Sequence, residues 1–445
     1  MASTLDIDGQ QAALEAAVTQ ALEHARRAGA DACEIGASVQ QGMEINVRKG
    51  SVETLEMARD QGIGVTLYLG KRRASVSSSD ASQTSLMDAV KRALDIARYT
   101  AEDPAAGLAD PALLARELPD MGVHHPWTLA PDDGIELARR CEQGGLAVAG
   151  IDSSDGASLT TSEGVSVYGN SHGFLGATRA SHHALSCMMI ARDDAGMQRD
   201  HDYTVSCDPS HLRVPESVGR VAAEQAMARL GSRPMDTGRM PVIFTPNMAR
   251  SLIGHLLNAI AGGAIFRESS FLCDAMGESL FPEWLSLGER PREYGAIASS
   301  AYDDEGVYTR DNDFIVDGRL ASWMLSSYSA RRLGLVTTGN SGGARNVRLQ
   351  APLTSHEALM ANIERGVMVT ELMGQGVNTV TGDYSRGAAG FLVEKGRIVA
   401  PVEEFTIAGN LRDMFGNLVG LGDDIDRRSS VHTGSWLIDD MMVAG

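Results

Sequence analysis

The chain has 445 residues, 43% apolar and 22% charged, enough for two or three domains with real cores. Its formal net charge of −19 opposes non-specific binding to nucleic acid or anionic membranes, because neutralising phosphate requires clustered Lys and Arg. Five scattered cysteines with no CxxC pair argue for reduced thiols and against a disulfide framework.

The first residues lack a basic region followed by a long apolar run, and no apolar segment approaches about 18 residues. A cytoplasmic location, with no signal peptide and no membrane span, is the expectation. Residues 12–27 read as an amphipathic helix: Ala13, Leu14, Ala17, Val18, Ala21, Leu22 and Ala25 share a face, and Gly29 stops it. Strand candidates follow at 34–39, 43–48, 53–58, 62–69 and 73–77. Gln41-Gly42, Lys49-Gly50, Gln61-Gly62 and Gly70-Lys71 read as turns, which gives an antiparallel meander. A second helix covers 82–98, and the Pro- and Gly-rich residues 102–126 read as a connection. The order then recurs, with a helix at 131–149, strands within 157–206 and a helix at 216–230. An α-β-α duplication is one reading, although no self-similarity of sequence accompanies it.

Gly231-Ser232-Arg233-Pro234 and Gly238-Arg239-Met240-Pro241 mark a boundary between domains at 1–235 and 236–445. Beyond it come a strand at 242–244 and a helix to about 261, with Leu252, Ile253, Leu256, Leu257 and Ile260 on its apolar face. Asp317-Gly318 joins a hairpin, short helices fall near 355–364 and 411–415, and a strand ends the chain at 435–443. Residues 367–370, 377–381 and 404–408 read as strands, with a hairpin around Glu394-Lys395-Gly396. Asp383, Tyr384 and Arg386 then fall between strands. They read either as the lining of a cavity or contact face or as ordinary surface loop. The fold class is α+β. An N-terminal domain of antiparallel strands and flanking helices precedes a β-rich, barrel- or sandwich-like C-terminal domain.

Several long motifs in one order carry a resemblance. ELMGQGVNTVTGDYSRGAAGFLVEKG, FTIAGNLRDMF, Ser326 to Arg331 with Thr338-Gly339-Asn340, and Gly262-Gly263 running on to Leu272 resemble the TldD/PmbA peptidase family. That family is also named for modulation of DNA gyrase, and the match is to its PmbA (TldE) branch. The resemblance implies a subunit of a cytosolic metallopeptidase that acts on peptides or unfolded segments. Its partner would be a TldD-type subunit, and the isolated chain could pair as a homodimer.

In the catalytic branch a helix carries His-Glu-x-x-x-His, and a cysteine lies near the C-terminus. These hold a zinc-like ion with an open position for water, whose proton the Glu takes. Two positions five residues apart lie about 140° apart around a helix, so both can serve only where the helix ends or distorts. Here the matching positions are Arg250, Ser251 and His255, and the last cysteine is Cys273. A guanidinium stays protonated and cannot ligate zinc, and a serine cannot act as the general base. The resemblance therefore assigns no catalytic residue and no metal to this chain, and places the zinc-like metal on the TldD-type partner. Arg250, His255, Asp383, Tyr384, Arg386 and Asn410 become candidates for lining a peptide or partner surface. The C-terminal half is expected to carry the subunit interface.

Other clusters read as weaker sites. His182-His183 lies in a strand and points to opposite faces, and His124-His125 reads as solvated loop. Asp423, Asp424 and Asp426 read as a solvated acidic turn. Gly339 to Gly343 matches G-x-S-x-G, but a strand pattern follows where a nucleophile elbow needs a helix. Two alternatives stay open: a homo-oligomeric protein that binds peptides or a regulator, and a hydrolase working alone through an unrecognised site.

Overall fold

In the computed structural model, which describes residues 5–80, 82–194 and 196–445, helix α1 (Ile7–Arg27) is capped by Asp6 and stopped by Gly29 at φ 94°. Strands β1 (Ala32–Arg48), β2 (Ser51–Leu69) and β3 (Arg72–Ser78) and helix α2 (Gln83–Ala97) complete a first unit. The same order repeats in α3 (Pro131–Leu146), β4 (Ile151–Asn170), β5 (Leu175–Asp193), β6 (Gly196–Ser206) and α4 (Pro215–Ala228). The two units share one antiparallel sheet of order β3-β2-β1-β4-β5-β6, with β1 and β4 paired at its centre. Both helix pairs cover one face of it. Cys33, Ile35, Ala37 and Val39 of β1 pack under α1 and α2, while Met43, Ile45 and Val47 pack under α3 and α4. All seven are alternate residues of one strand, so they point the same way.

The turns read at Gln41-Gly42 and Gln61-Gly62 are corrected: both glycines lie inside long strands. At Gly42 a Cβ would stand 3.1 Å from the Thr161 carbonyl oxygen of β4, so glycine there permits close strand approach. Lys49-Gly50 does turn, at φ 52° and 73°. Its two N–H groups each donate at 2.7 Å to the carboxylate of Glu142, which is fully buried on α3.

Past the boundary come β7 (Gly238–Phe244), α5 (Pro246–Ala259), α6 (Gly262–Phe266), β8 (Ser286–Glu289), β9 (Asn312–Val316), β10 (Arg319–Leu320), α7 (Ser327–Leu333) and β11 (Val347–Gln350). Then follow α8 (His356–Ala361), β12 (Arg365–Met373), β13 (Asp383–Glu394), β14 (Arg397–Asn410), α9 (Leu411–Gly416), β15 (Leu418–Leu421), β16 (Val431–His432) and β17 (Trp436–Ala444). Strands β14-β13-β12-β7-β17 close into a five-stranded barrel through a β14–β17 pairing, with β15 attached to β17. A second sheet has the order β10-β9-β8-β11-β16. Leu252, Ile253 and Leu256 of α5 share a core with Phe244, Phe405 and Trp436 of the barrel strands. The fold is therefore α+β, with the expected β-rich second half.

The strand read at 377–381 is also corrected. Val377 makes a single bridge to Tyr384 and a turn follows, so Asp383 to Arg386 belong to β13 itself. Helices α6 and α7 went unread. Both are short, and α7 is held by a Ser326–Ser329 capping box, with no apolar stripe to announce it.

Candidate functional site

Helix α5 is an unbroken α-helix from Pro246 to Ala259, so positions 250 and 255 face different neighbours. Arg250 faces the N-terminal sheet. Its Nη2 donates to Asp426 Oδ2 at 3.0 Å and Tyr203 Oη at 3.3 Å, and also to the Asn247 side chain. Asp426 in turn accepts from Arg428 Nε at 2.9 Å. Arg428 Nη1 reaches Asp202 Oδ1 of β6 at 2.6 Å, its guanidinium stacks 4.4 Å over the Tyr203 ring, and Arg213 donates to Asp202 Oδ2 at 2.6 Å. The row Arg213–Asp202–Arg428–Asp426–Arg250 alternates in sign and joins the two halves of the molecule. Burial pushes the Asp426 carboxyl up, but the Arg428 hydrogen bonds and the charges of Arg428 and Arg250 outweigh it, leaving Asp426 below the usual carboxylate range.

Ser251 donates its hydroxyl to the Met248 carbonyl at 2.6 Å, an ordinary helix contact. His255 faces β13. Its ring lies 6.1 Å from that of Tyr384, edge to face, and its Nε2 is buried without a hydrogen-bond partner. Burial and then the nearby Arg386 charge hold the imidazole below its usual pKa, so it is neutral at pH 7. Tyr384 is 1% exposed, its Oη also lacks a partner, and burial raises its pKa. Arg386 is half-buried. Its Nε makes one long hydrogen bond, at 3.5 Å to the Met373 carbonyl, and among the described residues no carboxylate pairs with it.

Asp383 and Asn410 lie elsewhere. They pair across β13 and β14 at the exposed end, with Asp383 taking Thr381 Oγ1 at 2.6 Å and Asn410 capping α9 through Arg412 N at 3.1 Å. Asp383 alternates in facing with Tyr384 and Arg386 along β13. The six candidates thus fall into three places: Arg250 in the charge row, His255 with Tyr384 and Arg386, and Asp383 with Asn410.

The acidic turn is corrected: Asp426 has a side chain 7% exposed and anchors two arginines, and Asp424 accepts from Ser435 N and Oγ at 2.8 and 2.6 Å. His124 is corrected too, half-buried at 3.5 Å from Glu163. Asp202, Arg213 and Arg428 were missed. Only the Asp426-Arg427-Arg428 run hinted at them, since Arg428 and Asp202 lie 226 residues apart in sequence. Among the described residues no three His, Cys, Asp or Glu side chains converge as a metal-ligand set. A guanidinium bound to Asp426, a serine bound to its own helix and a histidine turned to Tyr384 do not fit a metal at α5.

Models of the PmbA/TldA metallopeptidase match in three parts: domain 1 over residues 33–97, the central domain over 124–230 and the C-terminal domain over 237–445. The chain belongs to the PmbA/TldD metallopeptidase family. It is 45% identical to the metalloprotease PmbA of Escherichia coli O157:H7 over 99% of this chain and 98% of that one. It is 40% identical to a PmbA homologue of Haemophilus influenzae over 100% and 98%. A solved modulator of DNA gyrase from Bacteroides thetaiotaomicron superposes at TM-score 0.91 with 26% identity, covering 97% of this chain and 98% of that one. TldE of Thermococcus kodakarensis shares the fold at TM-score 0.84 and 20% identity, covering 97% and 100%. Set within the PmbA/TldD family, α5 is the helix to which the resemblance assigns the catalytic motif.

Proposed function

We propose that this chain is the PmbA/TldE-type, non-catalytic subunit of a cytoplasmic metallopeptidase, paired with a TldD-type chain that carries the metal and acting on peptides or unfolded segments. The observation that carries this reading is the state of α5. Arg250 is engaged with Asp426, Ser251 with Met248 O, and His255 faces away from both toward Tyr384. A guanidinium held by a carboxylate and a serine bonded to its own helix supply neither a metal ligand nor a general base at positions 250 and 251. TldD homologues also match part of this chain, one from Haemophilus influenzae at 26% identity over 42% of it, which supports a pairing of related halves. Among the described residues no helix is long and apolar enough to cross a membrane.

In this reading Arg386 is the group suited to contact a peptide carboxylate, since its charge is half-buried and unpaired. The test mixes the purified chain with a TldD-type chain and follows mass and peptide hydrolysis. It also measures the metal content of each chain after dialysis. A mixed complex, activity from the mixture only, and well under one zinc on this chain are the expected results. One zinc per chain, lost in His255→Ala, or hydrolysis by this chain alone, would reject the proposal.

A further inference from the structure

The face of the N-terminal sheet that its helices leave bare meets the C-terminal half around a cavity of about 360 Å³. Glu34, Gly36, Gly64, Tyr68, Arg73 and Tyr168, from four neighbouring strands, form the sheet side. They alternate with the residues that pack under α1 and α2. Asp304, Glu305 and Tyr328 line the side of the C-terminal half. Gly36 and Gly64 pair directly across β1 and β2, and a Cβ added at either would have nothing within 4 Å. Neither has a positive φ. No turn or close approach requires glycine at these two places, where a strand favours larger residues. What the pair does is keep the floor of the cavity empty.

The charges around that space are left unmatched. Glu34 is fixed in place by Tyr68 Oη and Tyr168 Oη, which each donate to it at 2.8 Å. Glu305 Oε2 accepts from Ser327 N at 2.8 Å, and Oε1 accepts from no group among the described residues. The Ser327 hydroxyl beside it is buried without a partner. Neither carboxylate has an ion pair among the described residues. Burial raises the Glu305 pKa, and the Glu34 charge adds to the rise, so the two carboxylates feel each other. Arg331, also near Glu305, is occupied by the carbonyls of Ala105, Gly107 and Leu108. Asp304 is matched by Arg345 at 3.3 Å. Arg73 is exposed and has no ion pair among the described residues. Two free carboxylates and one free guanidinium thus share one cavity with three tyrosine rings. A basic α-amino acid carries the complementary set: two ammonium groups, one carboxylate and an alkyl stem for the rings.

We propose that this cavity binds a free basic α-amino acid, with its ammonium groups on Glu34 and Glu305 and its carboxylate on Arg73. Such a ligand bridges the sheet and the C-terminal half. No α5 residue lines the cavity, and the site does not depend on the peptidase reading, so either can fail without the other.

The experiment is titration calorimetry on the full-length chain with three probes. These are L-lysine, cadaverine, which lacks the carboxylate, and norleucine, which lacks the side-chain ammonium. Lysine should bind at one site per chain, about tenfold or more tighter than either analogue, and should raise the melting temperature. Glu34→Gln and Glu305→Gln should each weaken lysine by about tenfold or more, and Arg73→Ala should leave it no tighter than cadaverine. Gly36→Val should abolish binding while the melting temperature without ligand holds or rises, because a β-branched residue suits a strand. No lysine binding at millimolar concentration, or an analogue that binds the unchanged chain as tightly, overturns the proposal. So does lysine binding that survives Gly36→Val or both carboxylate variants.

Discussion

Asp426 receives two guanidinium groups inside the molecule, from Arg250 and Arg428. Arg250→Met removes one and leaves the other, so a loss of about 2 kcal/mol is expected, read as a shifted denaturant midpoint. A larger loss, near that for an unpaired buried charge, would mean that Arg428 does not hold Asp426 alone. The pH dependence follows from the depressed Asp426 pKa. Its contribution is complete above the unfolded value of about 4 and disappears as pH falls through the lower folded value. Asp426→Asn should therefore flatten the acid limb of the stability profile and leave its neutral limb parallel to that of the wild type. His255 gives the opposite kind of prediction. A buried Nε2 without a partner costs stability, so His255→Phe should be neutral or stabilising in thermal melts. Marked destabilisation would show that the imidazole has a partner.

At the scale of elements, the Glu142 carboxylate of α3 accepts from both N–H groups of the β1–β2 turn. Glu142→Ala strands two donors, and a loss of about 3 kcal/mol is expected. Glu142→Gln should recover part of it, since the amide oxygen can accept one of them. Fast exchange at Lys49 and Gly50 in the alanine variant would locate the damage. What could be read in the sequence divides along the same line. Helices α1 and α5 announced themselves through apolar stripes, and the turns at Lys49-Gly50 and Asp317-Gly318 through their chemistry. Strand lengths did not show. Gly42 and Gly62 look like turn residues locally; at Gly42 the close approach of β4 explains a glycine in mid-strand, and at Gly62 nothing in the structure requires one. At the site, Arg250 and Ser251 were legible because their chemistry excludes a role. Asp202 and Arg428 were not, because a long-range ion pair leaves no periodic trace.

Across the whole molecule, Arg428 is a residue shared between the halves. It bonds Asp426 in one and Asp202 in the other, whose side chains are 7% and 4% exposed. Arg428→Ala should cost about 3–5 kcal/mol and split a single calorimetric transition into two, as the N-terminal sheet and the barrel come to melt separately. A single transition in the variant would show that the remaining contacts, among them Arg331 with the Ala105 and Gly107 carbonyls and Tyr328 with Asp103, are enough to couple them. The unbroken course of α5 governs what substitutions at positions 250 and 251 can achieve. Writing His at 250 and Glu at 251 would restore the letters of a metal-binding helix while leaving its two histidines on different faces. It would also strip Asp426 of a counter-ion that the join between the halves now uses. Each such step back is a loss before it can be a gain. The join between the halves thus opposes any single substitution that would place a metal ligand at position 250, because the ligand and the counter-ion to Asp426 cannot occupy that position together.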